Sequence, residues 1–284
     1  MSTPTRRSDE SNRAEAPGSL PFSLYCWTSG FGWMLATSLY STLAYPFRTP
    51  VEQSTRSARA FRRVLDVTRT RVTVVRDSEF DDARPSVFCF NHTSVLDAHT
   101  ACASIPQPFV GLMLAWHFKV PGYGWMMKAT HGIPVHPGSA GRTDELVEHA
   151  KARAAHGLSI LVFPEGHRTR DGRVGPYKRG MFFMARSAGL PIVPVAVRGM
   201  FEVNRKGSFV IRPGDVSVYL GPQLDVTNLD DASITALAAE VQARVAAYVE
   251  GRDHDGTGLA SLPRFRDTLV RDVARASSGN AVLG

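Results

Sequence analysis

The sequence predicts an α/β protein with a mixed, largely parallel sheet flanked by helices, preceded by an N-terminal membrane-associated helical segment. Two observations lead to this class. From about residue 70 to residue 250, short apolar runs alternate with segments of helical periodicity, which is typical of strands joined by helical crossovers. Upstream of them, residues 16–47 contain no charged residue and no histidine. A hydrophobic fraction of 43% and a charged fraction of 21% exclude a disordered, collagen-like or coiled-coil chain.

The composition divides the 284 residues into four segments. We expect a flexible tail at 1–19, a membrane-associated helical segment with a basic flank at 20–69, an α/β domain at 70–250, and a C-terminal tail at 251–284. The first tail is polar and balanced in charge, and it lacks the pattern of a signal peptide. The last tail is polar, with one possible helix at 265–276.

The uncharged segment is long enough to cross the apolar core of a bilayer as a helix. Between Pro21 and Pro46 lie 24 residues, of which 15 are apolar or aromatic and nine are Ser, Thr or Gly. As a helix this run would be about 36 Å long, and a bilayer core is about 30 Å thick. Residues 48–76 follow with eight arginines and two acidic residues. This positive charge favours contact with anionic headgroups on the cytoplasmic face of the inner membrane. A spanning helix, a re-entrant helix, a surface-lying helix and a buried helix of a soluble core remain alternatives.

The apolar runs with the length and composition of strands are 72–75, 86–90, 109–112, 132–135, 159–163, 192–197 and 216–220. Helical spacing of apolar residues predicts helices at 143–156, 181–187 and 233–249, the first two of which end at a glycine. Pro194, inside the sixth strand, predicts an edge strand or an irregular one.

The first motif follows the second strand. His92 lies at the turn and Asp97 comes five residues later, about one helical turn away if a helix begins near Thr93. A carboxylate in that position orients an imidazole and makes it a stronger base. The pair alone is a weak signal, because a capping histidine and a surface aspartate give the same spacing.

The second motif breaks the fifth strand with a Pro-Glu-Gly turn. Arg168 offers a planar fork that suits phosphate oxygens, and Glu165 can accept hydrogen bonds from hydroxyl groups. An ordinary charged turn is the alternative. The candidate residues of this motif are Phe163, Pro164, Glu165, Gly166, Arg168 and Thr169, with Lys178 downstream.

The third motif is the apolar run 190–197, with two prolines. Val193 and Pro194 either line a site for an acyl chain or belong to a plain core strand.

The order of these motifs resembles the glycerolipid acyltransferase family, which includes the 1-acylglycerol-3-phosphate acyltransferases. The resemblance covers about residues 70–225, with a further block at 118–127 that contains Lys119. It implies that residues 70–250 form an acyltransferase domain. The reaction implied is transfer of a fatty acyl group from acyl-CoA or acyl-carrier protein to the free hydroxyl of a lyso-glycerolipid, in the first place 1-acylglycerol-3-phosphate.

The resemblance also implies residue roles. His92 is the general base, Asp97 holds its tautomer, and the alkoxide attacks the thioester without an acyl-enzyme. Acceptor binding is assigned to Glu165 and Gly166, and the anionic headgroup to Arg168. Acyl-donor binding is assigned to Val193 and Pro194. The remaining substrate-binding candidates are Lys119, Phe163, Pro164, Thr169 and Lys178. No metal and no cofactor beyond the acyl donor are expected.

One departure from the family pattern concerns the acceptor. Family members that use a phosphorylated acceptor usually have an acidic residue and then an arginine after the Gly-Ile-Pro-Val run, where this chain has His136 and Pro137. Arg142 is a candidate replacement if its loop folds back. Another lysophospholipid or a lyso-ornithine lipid therefore stays open as acceptor.

Two functions of other classes stay open as alternatives. A lipid esterase or thioesterase could use the same His/Asp pair to activate water. A nucleic-acid-binding protein could use the arginine run, but the sequence has no nucleic-acid motif. The partners expected are an anionic membrane surface, a lyso-lipid acceptor and acyl-CoA or acyl-carrier protein, and no nucleic acid.

Overall fold

The computed structural model describes residues 18–136 and 143–251. The two predicted tails lie almost wholly outside these residues, as do Pro137, Arg142 and the possible helix at 265–276. The proposed division into four segments stays a prediction.

The described chain forms one seven-stranded sheet. Its strands are β1 (Thr70–Arg76), β2 (Val87–Phe90), β3 (Phe109–Leu114), β4 (Ile133–Val135), β5 (Ser159–Val162), β6 (Ile192–Arg198) and β7 (Gly214–Leu220). The spatial order is β1-β7-β6-β2-β5-β3-β4. Every neighbouring pair is parallel except β6 and β7, which are antiparallel. The prediction of a mixed, largely parallel sheet is confirmed, and the carboxyl ends of β2 to β6 meet at one edge.

Helices occupy both faces of this sheet. They are α1 (Leu20–Ala44), α2 (Pro50–Phe61), α3 (Arg63–Val67), α4 (Asp97–Ser104), α5 (Tyr123–Ala129), α6 (Thr143–Ala155), α7 (Gly180–Ser187), α8 (Met200–Val203) and α9 (Asp231–Val249), with 3-10 turns at Tyr45–Phe47 and Ala115–Lys119. The three helices predicted in the α/β part correspond to α6, α7 and α9. Helices α5 and α8 were not anticipated, because each is too short to show a periodicity.

Two details differ from the sequence-based expectation. The helix after His92 begins at Asp97, not near Thr93, so a turn and not a helix carries the chain from the histidine to the carboxylate. Strand β6 is also not an edge strand, since it pairs with β2 on one side and β7 on the other. Between the Ile192–Leu224 and Val195–Leu220 pairs, two residues of β6 face three residues of the opposite segment. This irregularity interrupts the ladder at Pro194, the residue that has no N–H, so the proline is tolerated there.

Alternation along the strands builds two apolar cores. In β2, Val87 and Cys89 pack into one core with α7 and α9, whereas Phe88 and Phe90 pack into the other with α3, α4 and α8. Successive side chains of a strand point to opposite faces, so a strand with helices on both faces is apolar throughout. The central strands are therefore rigid supports for whatever their carboxyl ends carry.

Helix α1 buries small and polar side chains and exposes large apolar ones, which is the reverse of a surface helix in a water-soluble domain. Its buried residues are Ser23, Cys26, Gly30, Thr37, Ser38 and Ser41. Its large apolar residues face outward, and those more than half exposed are Leu20, Leu24, Tyr25, Phe31, Leu35, Leu39, Tyr40 and Leu43. We call this surface the apolar face of α1.

Hydrogen bonds fix α1 in this orientation. The Ser23 hydroxyl accepts from the Ile211 N–H at 3.0 Å, and the indole N–H of Trp27 donates to the Phe209 carbonyl at 2.7 Å. Towards the other end, the indole N–H of Trp33 donates to the Ala60 carbonyl at 2.7 Å. Within residues 18–136 and 143–251, no helix is both long and apolar enough to cross a membrane.

The buried His99 predicts a pH dependence of stability. Its Nδ1 lies 3.0 Å from the Phe61 carbonyl, its ring stacks on that of Phe61, and burial lowers its pKa from 6.5 to about 4. Between these values the unfolded chain binds a proton that the folded chain excludes. The free energy of unfolding therefore falls as the pH decreases from 6.5 towards 4, by about 3 kcal/mol.

Urea unfolding of the wild type and His99→Leu between pH 7 and pH 4.5 measures this effect. We expect the slope of the free energy of unfolding against pH to be smaller in the variant. Thr100→Val, which changes a buried neutral residue of α4, should keep the wild-type slope. Equal slopes in the wild type and His99→Leu would contradict the assignment.

Candidate active site

The site is built on the turn that follows β2. At its start, the Asn91 side chain is anchored to β6: its Nδ2 donates to the Val197 carbonyl at 3.0 Å, and its Oδ1 accepts from the Val197 N–H at 2.7 Å. An amide side chain can satisfy a backbone donor and acceptor together, as another strand would. The turn is thereby held against the sheet edge, and His92 is placed at the carboxyl end of β2.

The Asp97 carboxylate is the fixed point of this turn. It is fully buried and accepts hydrogen bonds from the backbone N–H groups of Thr93 (2.6 Å) and Ser94 (2.9 Å) and from the Thr93 hydroxyl (3.2 Å). The same carboxylate lies 2.8 Å from His92 Nδ1. Since the carboxylate is an acceptor, Nδ1 carries the proton, and Nε2 is the basic nitrogen of the neutral imidazole.

The loop after β5 holds His92 from the other side. The imidazole stacks on the Phe163 ring, with ring centroids 4.1 Å apart and planes inclined by 22°. The His92 carbonyl accepts from the Thr169 N–H at 2.8 Å, and the His92 N–H donates to Glu165 at 2.7 Å. Two loops that are far apart in sequence thus form one rigid unit.

Glu165 connects the parts of this unit. Its second oxygen accepts from the Gly175 N–H at 2.9 Å, and burial raises the pKa of the carboxyl group. A Cβ at Gly175 would lie 3.0 Å from that oxygen, so a glycine allows the approach. Both carboxylate oxygens therefore bind backbone of this chain, whereas the sequence suggested that they accept hydrogen bonds from a substrate.

A cavity of about 410 Å³ opens beside His92, within the 300–1,000 Å³ range common for ligand sites. Its walls are mostly apolar and come from α2, α4, β3 and α5, with Phe61, Val95, Phe109–Leu114, Tyr123, Met126 and Met127 among the lining residues. Of the described lysines and arginines, Arg168 and Lys178 line it. The cavity thus combines an apolar interior, a basic imidazole and two cations.

Gly166 allows Lys178 to reach this position. The glycine has φ +74°, a conformation that side chains rarely adopt, and a Cβ there would lie 2.5 Å from Lys178 Nζ. The ammonium group therefore crosses directly over the loop that carries Arg168.

The structure brings most of the predicted site residues together. His92, Phe163, Pro164, Gly166, Arg168 and Lys178 line the cavity, while Asp97, Glu165 and Thr169 hold His92 from behind. Lys119 is exposed on its 3-10 turn, and Val193 and Pro194 are buried within β6; none of the three lines this cavity.

The walls on α2 and α5 were not anticipated. Ser54, Ser57, Met126 and Met127 line the cavity. In the sequence, the α5 wall was indicated only by a Met-rich block next to an apolar strand. Such a block also occurs in closed cores. In the described part of the chain, no group of three or more His, Cys, Asp or Glu side chains is arranged to hold a metal ion.

Comparison with known proteins shows the family to which this chain belongs. Residues 71–198 match the family described as acyltransferase. A 1-acyl-sn-glycerol-3-phosphate acyltransferase of Limnanthes alba is 31% identical over 194 residues, covering 68% of this chain and 67% of that protein. A chloroplastic 1-acyl-sn-glycerol-3-phosphate acyltransferase of Brassica napus is 31% identical over 48% of this chain, and the match spans 40% of that relative's length.

The fold has a counterpart of known structure. The crystal structure of the 1-acyl-sn-glycerophosphate acyltransferase PlsC from Thermotoga maritima superimposes with a TM-score of 0.69 at 20% identity, over 84% of this chain and 97% of that one. The chain belongs to the acyltransferase family.

The contacts of Glu165 predict that it positions His92. Glu165→Gln replaces an acceptor oxygen with an NH2 group that faces a backbone N–H, which costs about 1–3 kcal/mol for the donor left unpaired. We expect kcat to fall at least tenfold with little change in the KM for the lyso-lipid. Gly175→Ala, which crowds the same carboxylate, should reproduce the pattern.

Steady-state kinetics at saturating donor separates this role from acceptor binding. Glu202→Gln, at an exposed position on α8, should retain the wild-type kinetics. A raised KM for the lyso-lipid at unchanged kcat would mean that Glu165 binds the acceptor instead.

Proposed function

We propose that this chain is an O-acyltransferase that moves a fatty acyl group from a thioester to the free hydroxyl of a lyso-glycerolipid, with 1-acylglycerol-3-phosphate as the first acceptor. The observation that carries the proposal is the His92–Asp97 pair at an apolar cavity that also contains Arg168 and Lys178. The names of the Limnanthes and Brassica relatives support the same reaction type.

The geometry supports a direct transfer. A substrate hydroxyl that donates to His92 Nε2 loses its proton to the imidazole as its oxygen attacks the thioester carbonyl. The new C–O bond forms, the C–S bond breaks, and the thiolate takes the proton from the imidazolium. Asp97 stabilises the imidazolium that forms between these events, and its backbone hydrogen bonds keep it from moving.

The headgroup of the acceptor is assigned to Arg168 and Lys178. A guanidinium and an ammonium group beside the base suit a phosphate, which carries its charge two carbons from the sn-2 hydroxyl. Relatives with phosphorylated acceptors usually carry arginine where this chain has Pro137. Arg168 and Lys178 therefore contribute a larger share of the phosphate binding. A zwitterionic lysophospholipid and a lyso-ornithine lipid are the alternatives that the assay must include.

Hydrolysis is the second candidate, because the same pair can activate water. The transferase is favoured by the relatives' names and by an apolar cavity beside cations, an arrangement suited to an amphiphilic acceptor. Dependence of thioester cleavage on an acceptor distinguishes the two reactions.

The apolar face of α1 supports peripheral association with a membrane. Arginines border this face: the guanidinium groups of Arg48, Arg63 and Arg69 lie over aromatic rings of α1 at 4.6, 5.6 and 5.4 Å. Apolar side chains that enter the acyl region and arginines at its edge are the arrangement of an interfacial helix. We place the chain on the cytoplasmic face of the inner membrane, where it meets lyso-lipid and thioester donor together.

Thioester cleavage with a panel of acceptors tests the proposed reaction. The detergent-solubilised protein is given palmitoyl-CoA with no acceptor, 1-acylglycerol-3-phosphate, a zwitterionic lysophospholipid or a lyso-ornithine lipid. We expect 1-acylglycerol-3-phosphate to raise free thiol release at least tenfold and His92→Ala to lower turnover by at least a hundredfold. Release that ignores every acceptor would identify a hydrolase, and stimulation by another lyso-lipid alone would change the acceptor.

Vesicle sedimentation tests the membrane assignment. Phe31→Ser with Leu35→Ser removes two exposed side chains, each worth about 1.5–3 kcal/mol when fully buried, so binding to anionic vesicles should fall more than tenfold. Val75→Ser changes an exposed apolar residue on β1 and should bind as the wild type. Unchanged binding of the double variant would rule out α1 as the contact.

A further inference from the structure

A surface segment between β3 and β4 carries the same pair of residues twice. Trp116 is 57% exposed on the 3-10 turn that follows β3, and Trp125 is 50% exposed on α5. Each tryptophan is followed three residues later by an exposed lysine, Lys119 in the first pair and Lys128 in the second. We call residues 115–129 the Trp-Lys segment.

The spacing divides the Trp-Lys segment into an outer and an inner side. Residues three apart eclipse one another in a 3-10 helix and are neighbours on an α-helix, so each tryptophan shares a side with its lysine. The residues between them include His117, Met126 and Met127, which line the active-site cavity. The Trp116 ring stacks on the His117 ring with centroids 3.8 Å apart. A single layer of side chains therefore separates this exposed surface from the cavity.

Glycines fix the segment in place beside α1. A Cβ at Gly124 would overlap the Phe118 carbonyl oxygen, so a glycine is needed where α5 packs on the 3-10 turn. A Cβ at Gly122, in the connection between these two elements, would lie 3.4 Å from Leu35 Cδ1. Leu35 belongs to the apolar face of α1. The Trp-Lys segment is thus continuous with the surface that we assign to the membrane.

The charge of this region suits an anionic lipid surface. Residues 98–143 contain no Asp or Glu, but they contain two lysines and one arginine. Anionic headgroups attract lysines that lie within about a Debye length of the membrane, roughly 8–10 Å at physiological salt. The two lysines of the Trp-Lys segment therefore face a bilayer without a neighbouring carboxylate in the sequence to oppose them.

The indole N–H groups indicate the same partner. The two tryptophans of α1 donate to backbone carbonyls of this chain, each at 2.7 Å. Those of Trp116 and Trp125 have no acceptor among the described residues, so they are available to headgroup oxygens. An indole has an apolar body and one polar donor, and such rings concentrate where lipid meets water.

We propose that the Trp-Lys segment is a second membrane contact, which places the α5 wall of the active-site cavity at the lipid–water interface. This inference rests on the proposed function and adds the route of the acceptor, since a lyso-lipid then passes from the bilayer to the cavity along this wall. The two indoles lie at headgroup level, and the two lysines pair with lipid phosphates. Lys119 accordingly binds the bilayer and not the reacting acceptor.

Sedimentation with vesicles of phosphatidylglycerol and phosphatidylcholine tests the contact without turnover. Trp125→Ser removes one exposed indole, and Lys119→Glu with Lys128→Glu reverses two exposed charges outside the cavity lining. We expect the first variant to weaken vesicle binding at least threefold and the second at least tenfold, with a smaller effect of the second at 300 mM than at 50 mM NaCl. The matched control Arg76→Glu with Lys151→Glu changes the net charge equally on β1 and α6 and should bind as the wild type.

Kinetics with two acceptors tests the consequence for substrate entry. 1-Hexanoylglycerol-3-phosphate is monomeric in water, 1-oleoylglycerol-3-phosphate is presented in the same vesicles, and palmitoyl-CoA below its micellar concentration is the donor for both. We expect both segment variants to lower kcat/KM for the vesicle-bound acceptor at least fivefold. For the monomeric acceptor, kcat/KM should stay within twofold of the wild type, because the cavity itself is unchanged.

The vesicle assay separates this inference from the proposed function. If no lyso-lipid is turned over, the proposed function fails, while vesicle binding still decides the contact. Wild-type vesicle binding by both segment variants would overturn the inference, as would equal losses of kcat/KM with both acceptors. A wild-type dimer that dissociates in Trp125→Ser, with vesicle binding unchanged, would assign the segment to a second copy of the chain instead. The charge variant retains both indoles, so it decides the question if Trp125→Ser fails to fold.

Discussion

The buried Asp97 carboxylate is the interaction on which the site depends. A buried ionised carboxylate is costly unless donors surround it, and here two backbone N–H groups, a hydroxyl and the imidazole of His92 do so. Those donors come from a turn of six residues that has no regular secondary structure of its own. The carboxylate therefore folds the turn and orients the base with the same hydrogen bonds.

Glu165 extends this arrangement to the second loop. One carboxylate oxygen binds the backbone of His92 and the other binds Gly175, while Phe163 stacks on the imidazole. The base is thus held by its ring, its N–H and its carbonyl. In the proposed mechanism, this preorganisation lets the neutral imidazole accept a proton without first being ordered by the substrate.

The described chain has two apolar regions besides its core, the outer face of α1 and the walls of the cavity beside His92. The apolar face of α1, bordered by arginines, suits the lipid interface. The cavity walls of β3 and α5 suit an acyl chain.

The sequence by itself determined the α/β class and the seven strands, and it singled out His92 and Asp97, because strand periodicity and motif spacing are local properties of the chain. It also indicated that α1 meets a membrane, since 32 consecutive residues without charge are visible without a fold. Tertiary structure alone decided which side of α1 faces outward, that Lys119, Val193 and Pro194 do not line the cavity, and that Glu165 binds backbone. These properties depend on contacts between residues far apart in sequence, such as Glu165 with His92 and Ser23 with Ile211, and no local pattern encodes the geometry of such contacts.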